Sequence, residues 1–198
     1  MAKFLIFRTD RIGDFITSQL VINSISEISK KNQVDIVASK YNSKYIKNFK
    51  HINNVFIFDK TQNKILDFFN LFLQIKNKNY DYLIVLDGKR RSFISGIFIN
   101  ATIKVCLLKD FYPKFLISLF FNKYIKNTET NTQYKNFQVL LNYLDIKSPK
   151  ILNYYKNYQF VKNKFKFRKP YVHLHLDEKW FKDYYFHDFD YMNLKAES

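Results

Sequence analysis

Short hydrophobic runs alternate along the chain with longer segments in which apolar residues recur every three or four positions. The short runs are typical of buried strands, and the longer segments have the period of amphipathic helices. The predicted strands are Lys3–Arg8, Val34–Ala38, Asn54–Phe58, Tyr82–Leu86 and Thr102–Leu107. The predicted helices between them are Phe15–Lys30, Asn42–Phe49, Lys64–Lys76 and Ser92–Ile99. Because strands and helices alternate, the pattern predicts an α/β fold with a doubly wound, mostly parallel sheet.

The remaining segments predict one complete domain and the beginning of another. Phe111–Phe121 is rich in Phe and Leu. It is either an amphipathic helix packed on the sheet or a helix in a membrane interface with its lysines near lipid phosphates. Another helix is predicted over Tyr134–Leu144. We expect one domain over residues 1–146, a linker over 147–169, and a first strand and fragment of a second domain over 170–198.

The chain is strongly basic, with 33 Lys and Arg against 17 Asp and Glu and a net charge of +16 in 198 residues. Such a charge attracts phosphate-bearing partners, which include lipid head groups, nucleic acid and phosphorylated sugars. The lysines are interleaved throughout with Asn, Ile, Phe and Tyr, so a biased coding composition explains the charge equally well. The charge alone therefore does not select among these partners.

Cysteine usage and the amino terminus indicate a reducing, cytoplasmic environment. The single cysteine, Cys106, excludes an internal disulfide framework. It lies in an apolar run, which predicts a buried structural thiol rather than a nucleophile. Arg8, Asp10 and Arg11 interrupt the first apolar run, so the start of the chain lacks the layout of a signal peptide. No window is apolar enough over about 18 residues to predict a spanning helix.

The turn after the first strand is the strongest candidate for a functional site. In α/β proteins, ligands bind at the carboxyl ends of the strands, and the segment RTDRIGD (Arg8–Asp14) occupies that position. Asp14 is placed to act as a general base or, alternatively, to cap the following helix. Arg8 and Arg11 could pair with phosphate, and the backbone near Gly13 could favour an anion.

These residues resemble the opening motif of glycosyltransferase family 9, the lipopolysaccharide heptosyltransferases and their relatives. Two later segments agree with that family in order and spacing. Tyr80–Ser92 is similar to its fourth strand and the turn into the next helix, and Lys169–His175 is similar to the strand that opens its carboxy-terminal domain. The resemblance extends over most of the chain.

The resemblance implies a GT-B architecture, in which two Rossmann-like domains face each other across a cleft. Family members transfer a sugar, typically from ADP-heptose, to a lipid-linked saccharide of the lipopolysaccharide core, with inversion and without a metal or other cofactor. Asp14 would be the base that activates the acceptor hydroxyl. The residues expected to bind substrate are Arg8, Arg11, Gly13, Asp87, Gly88, Lys89 and Arg90. The implied location is the cytoplasmic face of the inner membrane, where the protein would be peripheral.

The chain departs from the family in its carboxy-terminal part. It ends before the position of the family's Asp-Thr-Gly motif, and Lys179 is only a loose match to a lysine that contacts donor phosphate. We therefore expect a truncated or degenerate member. Such a chain would be inactive alone unless another polypeptide supplies the donor-binding domain, because transfer depends on holding both substrates together.

Two other interpretations of the carboxy-terminal region remain open. His173, His175 and Asp177 alternate along a predicted strand, a spacing that occurs in zinc-dependent hydrolases. The aromatic run Tyr154–Phe160 and the basic run Lys162–Lys169 could stack on bases and neutralise phosphates. They fit a linker at an acidic membrane surface at least as well, so nucleic acid is the less favoured partner.

Overall fold

The computed structural model describes residues 1–59, 63–108, 114–126, 132–148 and 158–159. They form a six-stranded, all-parallel sheet flanked by helices. The strands are β1 (Lys3–Arg8), β2 (Gln33–Ala38), β3 (Asn54–Ile57), β4 (Tyr80–Val85), β5 (Ala101–Leu108) and β6 (Lys123–Lys126). The helices are α1 (Ile12–Thr17), α2 (Gln19–Ile28), α3 (Lys40–Ile46), α4 (Lys64–Ile75), α5 (Arg90–Phe98), α6 (Lys114–Phe120) and α7 (Gln133–Tyr143).

The strand order β3-β2-β1-β4-β5-β6 places the first strand at the centre of the sheet. The chain winds outward in one direction from β1 to β3 and then returns to β4 on the other side of β1. The connection that follows β1 therefore crosses one face of the sheet, and the connection that follows β4 crosses the opposite face. This switch point opens a crevice at the carboxyl ends of the two strands, which is where doubly wound folds bind ligands.

The core has one layer on each face of the sheet, because β1 is buried on both sides. Phe4 and Ile6 point into the layer that contains α1, α2, α3 and α7. Leu5 and Phe7 point into the opposite layer, with residues of α4, α5 and α6. A central parallel strand must be apolar at consecutive positions to fill both layers, which explains the continuous run at the start of the sequence.

The predicted Rossmann-like, doubly wound fold is confirmed, and the five predicted strands are present with ends that differ by at most two residues. The short edge strand β6 was not predicted. It has four residues, two of them exposed lysines, so it carries little periodic signal. Its register is set beside β5, where the side-chain oxygen of Asn122 accepts a 2.7 Å hydrogen bond from the backbone N–H of Lys104.

The single helix predicted over Phe15–Lys30 is divided into α1 and α2 at Ser18. The hydroxyls of Thr17 and Ser18 both donate to the backbone carbonyl of Asp14, each at 2.8 Å. Hydroxyl groups that bond to the preceding turn compete with the helical hydrogen bonds and bend a helix. The division keeps the start of α1 fixed beside the end of β1.

The thiol of Cys106 is fully buried among the side chains of β4, α5 and α6. Burial raises its pKa well above the ordinary range of a thiol, which confirms the prediction of an unreactive structural residue. In the described part of helix α6, Ile117 is buried, whereas Phe115 and Leu119 are exposed. None of the helices within the described residues is long and apolar enough to cross a membrane.

Candidate functional site

Asp14 lies in the first turn of α1, directly beyond the carboxyl end of the central strand. Its side chain is 42% exposed, and one oxygen accepts a long, 3.4 Å hydrogen bond from the backbone N–H of Arg11. The carboxylate therefore caps the helix weakly and remains open to the crevice at the switch point. This placement makes it available to a ligand.

The backbone of Asp14 is held by Arg8, whose side chain is only 2% exposed. The Arg8 guanidinium donates to the Asp14 carbonyl from Nε at 2.9 Å and from Nη2 at 2.7 Å. Its Nη1 donates to the carbonyl of Leu86 at 2.8 Å, which joins the ends of β1 and β4. Burial in these contacts does not fit the prediction that Arg8 binds substrate. Its position instead fixes the peptide unit that carries the Asp14 side chain.

Asp10 is a second carboxyl group in the same turn, and the sequence-based interpretation did not select it. Its Oδ2 lies 3.2 Å from Arg8 Nη1, and its buried Oδ1 has no hydrogen-bond partner among the described residues. Burial raises the pKa of Asp10 to about 6, with a smaller contribution from the carboxylates of Asp87 and Asp14, although the charge of Arg8 opposes the shift. A perturbed acid in a cleft is typical of functional sites. The only sequence signal was its place inside the motif.

The side chain of Asp87 connects the end of β1 to the start of α5 through hydrogen bonds within the protein. Its Oδ2 accepts hydrogen bonds from the hydroxyls of Thr9 and Ser92, both at 2.7 Å, and its Oδ1 accepts one from the backbone N–H of Lys89. These contacts favour a structural role over the predicted substrate contact. Gly88 has a φ of 59°, a left-handed conformation that explains the glycine at this turn.

Lys89 and Gly13 keep positions suited to ligand binding. The ammonium of Lys89 donates to the carbonyl of Thr9 at 2.9 Å and lines the cleft, and burial lowers its pKa. Apart from Gly13, its chain neighbours and its own helix backbone, no atom of the described residues lies within 4 Å of the position that a Cβ would take at Gly13. The space beside Gly13 is therefore open to a ligand or to another part of the protein.

The carboxyl end of β2 forms the other wall of the cleft. The buried side chain of Asn42 donates to the carbonyls of Arg8 and Asp10, both at 3.0 Å, and so holds the β1–α1 turn against α3. This anchors Lys40 and Lys44, which follow β2 at a spacing of four and both line the cleft. The sequence-based interpretation considered only the ends of β1 and β4, although the end of β2 was equally visible.

The cleft has a volume of about 920 Å³. Among the described residues, five cationic side chains and three carboxylates line it, and together they carry a net positive charge. The cations are Arg11, Lys40, Lys44, Lys89 and Arg91, and the carboxylates are Asp10, Asp14 and Asp59. A concave site with an excess of positive charge attracts phosphate groups, and an exposed carboxylate within it is available for proton transfer.

Arg91 lines this cleft, whereas the predicted residue Arg90 is exposed and is absent from its lining. The Arg91 guanidinium lies over the ring of Phe58, 4.9 Å from its centre, and its buried Nη1 has no hydrogen-bond partner among the described residues. The sequence alone did not show which side of α5 faces the cleft, so it could not distinguish between two consecutive arginines. The structure assigns the cleft position to Arg91.

The remaining sequence-based predictions lie outside the described residues. They are the donor-phosphate residue Lys179, the alternative metal ligands His173, His175 and Asp177, nearly all of the predicted linker, and the predicted second-domain fragment. Among the described residues, no group of three or more His, Cys, Asp or Glu side chains could hold a metal ion. The predicted domain boundaries stay predictions.

Comparison with known proteins shows similarity in structure alone. No protein-family model matches the sequence, and no curated protein sequence matches it significantly. A glycosyltransferase family 9 crystal structure from Veillonella parvula matches with a TM-score of 0.63 at 17% identity, over 74% of this chain and 42% of that one. The heptosyltransferase WaaC of E. coli, with ADP-2-deoxy-2-fluoro heptose, matches with a TM-score of 0.63 at 15% identity, over 77% and 51%.

The same E. coli enzyme with ADP gives a TM-score of 0.61 at 15% identity, over 77% of this chain and 50% of that one. The chain thus spans about half the length of the solved structures that it matches. The strand order, the switch-point cleft and these matches agree with one another. The chain therefore has the Rossmann-like fold found in glycosyltransferase family 9 and in the E. coli heptosyltransferase.

Proposed function

We propose that the protein acts in glycosyl transfer, moving a heptose-like sugar from a nucleotide sugar to a lipid-linked saccharide. The observation that supports this most directly is the position of Asp14. Its exposed carboxylate stands at the switch-point crevice, while Arg8 and the hydroxyls of Thr17 and Ser18 fix its backbone. Such positioning is what a general base requires.

In the proposed reaction, Asp14 accepts the proton of the acceptor hydroxyl as that oxygen forms a bond to the anomeric carbon of the donor sugar. The bond between the anomeric carbon and the diphosphate oxygen breaks, and the departing nucleoside diphosphate takes the electron pair. Attack from the side opposite the leaving group inverts the anomeric centre. The atoms balance without a metal or another cofactor.

The cations of the cleft would bind the phosphate groups. Arg91 and Lys89 lie on the β4 side and Lys40 and Lys44 on the β2 side, so they flank the carboxylate of Asp14. Phosphate next to several cations is stabilised most where water is partly excluded. One similar structure, that of the E. coli heptosyltransferase, contains ADP-2-deoxy-2-fluoro heptose. ADP-heptose is accordingly the donor to test first.

The rest of the donor site would come from a second domain, either after the described residues of this chain or on another polypeptide. Lys179 stays a proposed donor-phosphate contact within it. Without that domain the donor is not held opposite Asp14, and transfer loses most of its proximity advantage. The acceptor would reach the cleft from the surface of the inner membrane.

The proposal is tested by incubating the protein, alone and in extracts of the cells that produce it, with labelled ADP-heptose and other nucleotide sugars. Transfer of label to the lipid fraction, with an inverted linkage in the product by NMR, is the expected result. If the protein neither transfers label in the extract nor binds a nucleotide sugar or saccharide, the proposal is wrong. Label transfer with a retained linkage would contradict the direct displacement.

A further inference from the structure

Helices α4 and α5 carry an apolar surface that the fold leaves exposed. Seven large side chains form it, each at least 39% exposed: Ile65, Leu66, Phe69, Phe72, Leu73, Ile94 and Phe98. We call this set the α4–α5 face. Contiguous exposed apolar patches of this kind mark an interaction site on a protein surface.

The α4–α5 face is continuous across the two helices. On α4 the exposed residues recur at intervals of three and four and form one stripe, while Leu71 and Ile75 on another side are buried in the core. Phe68 packs edge-to-face against Phe98 of α5 with ring centres 5.4 Å apart, and it stacks on Phe72. The stripe on α4 therefore joins that on α5.

Cationic residues stand at the ends of this surface. Lys76, the residue directly after α4, follows Phe72 by one helical turn, and Arg90 precedes Ile94 by one turn on α5. Both are exposed. Asp67, the single acidic residue in the two helices, lies on the other side of α4 and faces the groove beside β3. The face thus combines apolar side chains with flanking positive charge.

We propose that the α4–α5 face docks on the surface of an anionic lipid bilayer. Apolar side chains would enter the boundary between head groups and acyl chains, and Arg90 and Lys76 would contact lipid phosphates. A second copy of the chain is a poorer occupant. It would bring a second net charge of +16 against the first, and the two like charges repel.

The docking surface adjoins the cleft. Arg91 lines the cleft, and its neighbour Arg90 begins the α5 part of the face. A protein docked in this way would place its cleft beside the membrane, within reach of a lipid-linked saccharide. The inference deepens the proposed function and rests on it for the identity of the acceptor. The binding itself needs no donor, acceptor or catalysis.

The test is sedimentation of the full chain with phosphatidylglycerol vesicles and with phosphatidylcholine vesicles. The wild type should bind phosphatidylglycerol vesicles more tightly. The double variant Phe69→Gln/Phe72→Gln should bind them at least about tenfold more weakly. Binding of the variant no longer transfers two exposed aromatic side chains from water into the lipid. The matched control is Val139→Gln/Tyr143→Gln on α7, whose side chains are similarly exposed but lie on the opposite face of the sheet. This control should bind as the wild type does.

The charged part of the surface has its own test. Arg90→Gln and Lys76→Gln should each weaken binding to phosphatidylglycerol roughly fivefold and reduce its salt dependence. Asp14→Asn should bind vesicles as the wild type does, so loss of transfer and loss of docking are separable. Equal binding by the Phe69→Gln/Phe72→Gln variant would overturn the proposal. Loss of binding in the α7 control alone, or a dimer in solution that this α4 variant abolishes, would do so too.

Discussion

The guanidinium of Arg8 donates two hydrogen bonds to the backbone carbonyl of Asp14, at 2.9 and 2.7 Å. Both donors come from one planar group that is itself buried between the ends of β1 and β4. The cleft carboxylate is thus positioned through its main chain, and its side chain, which makes only long contacts of 3.4 Å to the Arg11 N–H and 3.9 Å to Arg8 Nη2, stays 42% exposed to a ligand. Arg8 is in this account a positioning residue.

Replacing Arg8 with Lys should destabilise the protein by about 2 to 4 kcal/mol. An ammonium group cannot make both hydrogen bonds to the Asp14 carbonyl and also reach the carbonyl of Leu86, so a buried positive charge loses most of its partners. Urea unfolding followed by circular dichroism measures the effect. Arg11→Lys is the matched control, because Arg11 is exposed, and it should change stability by less than about 0.5 kcal/mol. Equal stability of the two variants would contradict the role given to Arg8.

The two glycines of the site should respond to alanine in opposite ways. Gly88→Ala should lower the free energy of unfolding by about 1 kcal/mol, because a φ of 59° is unfavourable for alanine. Gly13→Ala should leave stability unchanged or raise it by about 0.5 kcal/mol, because Gly13 lies in helix α1 and a Cβ there meets no described atom within 4 Å beyond its own helix and chain neighbours. Thermal unfolding of the two variants, compared with the wild type, is the measurement.

If ligands approach the main chain at Gly13, the same alanine variant should weaken binding of a nucleotide sugar or saccharide while the fold remains stable. Isothermal titration separates this effect from stability. Unchanged affinity in Gly13→Ala would place the ligand elsewhere in the cleft. Stability and ligand affinity, measured on the two variants, thus test the structural role and the binding role of this region separately.

Asp10 should make stability depend on pH between about 4 and 6. Burial raises its pKa from 3.8 to about 6 in the folded protein, so the unfolded chain loses this proton first as pH rises. The folded state then holds more protons than the unfolded state, and its stability falls through this interval by up to about 3 kcal/mol. The measurement is the difference in unfolding free energy between wild type and Asp10→Asn against pH. A difference that does not change from pH 4 to pH 7 would contradict the assignment.

His51 should produce the opposite dependence. Burial lowers its pKa from 6.5 to about 4, and neither ring nitrogen has a hydrogen-bond partner among the described residues. As pH falls from about 6.5 to 4, the unfolded chain takes up a proton that the folded chain does not, so stability decreases. His51→Phe should remove this loss. Unfolding curves at pH 7 and pH 5 show whether the wild type loses more stability than the variant.

Much of the fold followed from the hydrophobic pattern, because a central parallel strand needs apolar side chains on both faces. The run from Phe4 to Phe7 therefore identified β1 and, with it, the end of the strand where Asp14 lies. The edge strand β6 and the division of α1 from α2 were missed. A short edge strand needs few apolar residues, and the division depends on hydroxyl contacts to the Asp14 carbonyl.

The candidate site was predictable in location but less so in its individual roles. The position of Arg8 at the end of β1 and the family resemblance around Asp87 suggested that both would contact substrate, yet the protein's own polar groups surround both side chains. Two of these contacts, from Arg8 to Leu86 and from Thr9 to Asp87, join residues 78 positions apart and leave no local pattern. The sequence was equally unable to show that Arg91 rather than Arg90 faces the cleft, because the two consecutive residues at the start of α5 are both arginine.

The central claim is that Asp14 takes the proton of an acceptor hydroxyl during sugar transfer. The most direct measurement compares the rate of transfer from labelled ADP-heptose to the lipid fraction by wild type, Asp14→Asn and Asp81→Asn, each with the donor-binding polypeptide or extract present. Asp81 is an exposed carboxylate at the opposite end of the sheet and serves as the control. The account predicts a loss of about 100-fold or more for Asp14→Asn, with Asp81→Asn close to wild type. Transfer by a folded Asp14→Asn variant at the wild-type rate would contradict it.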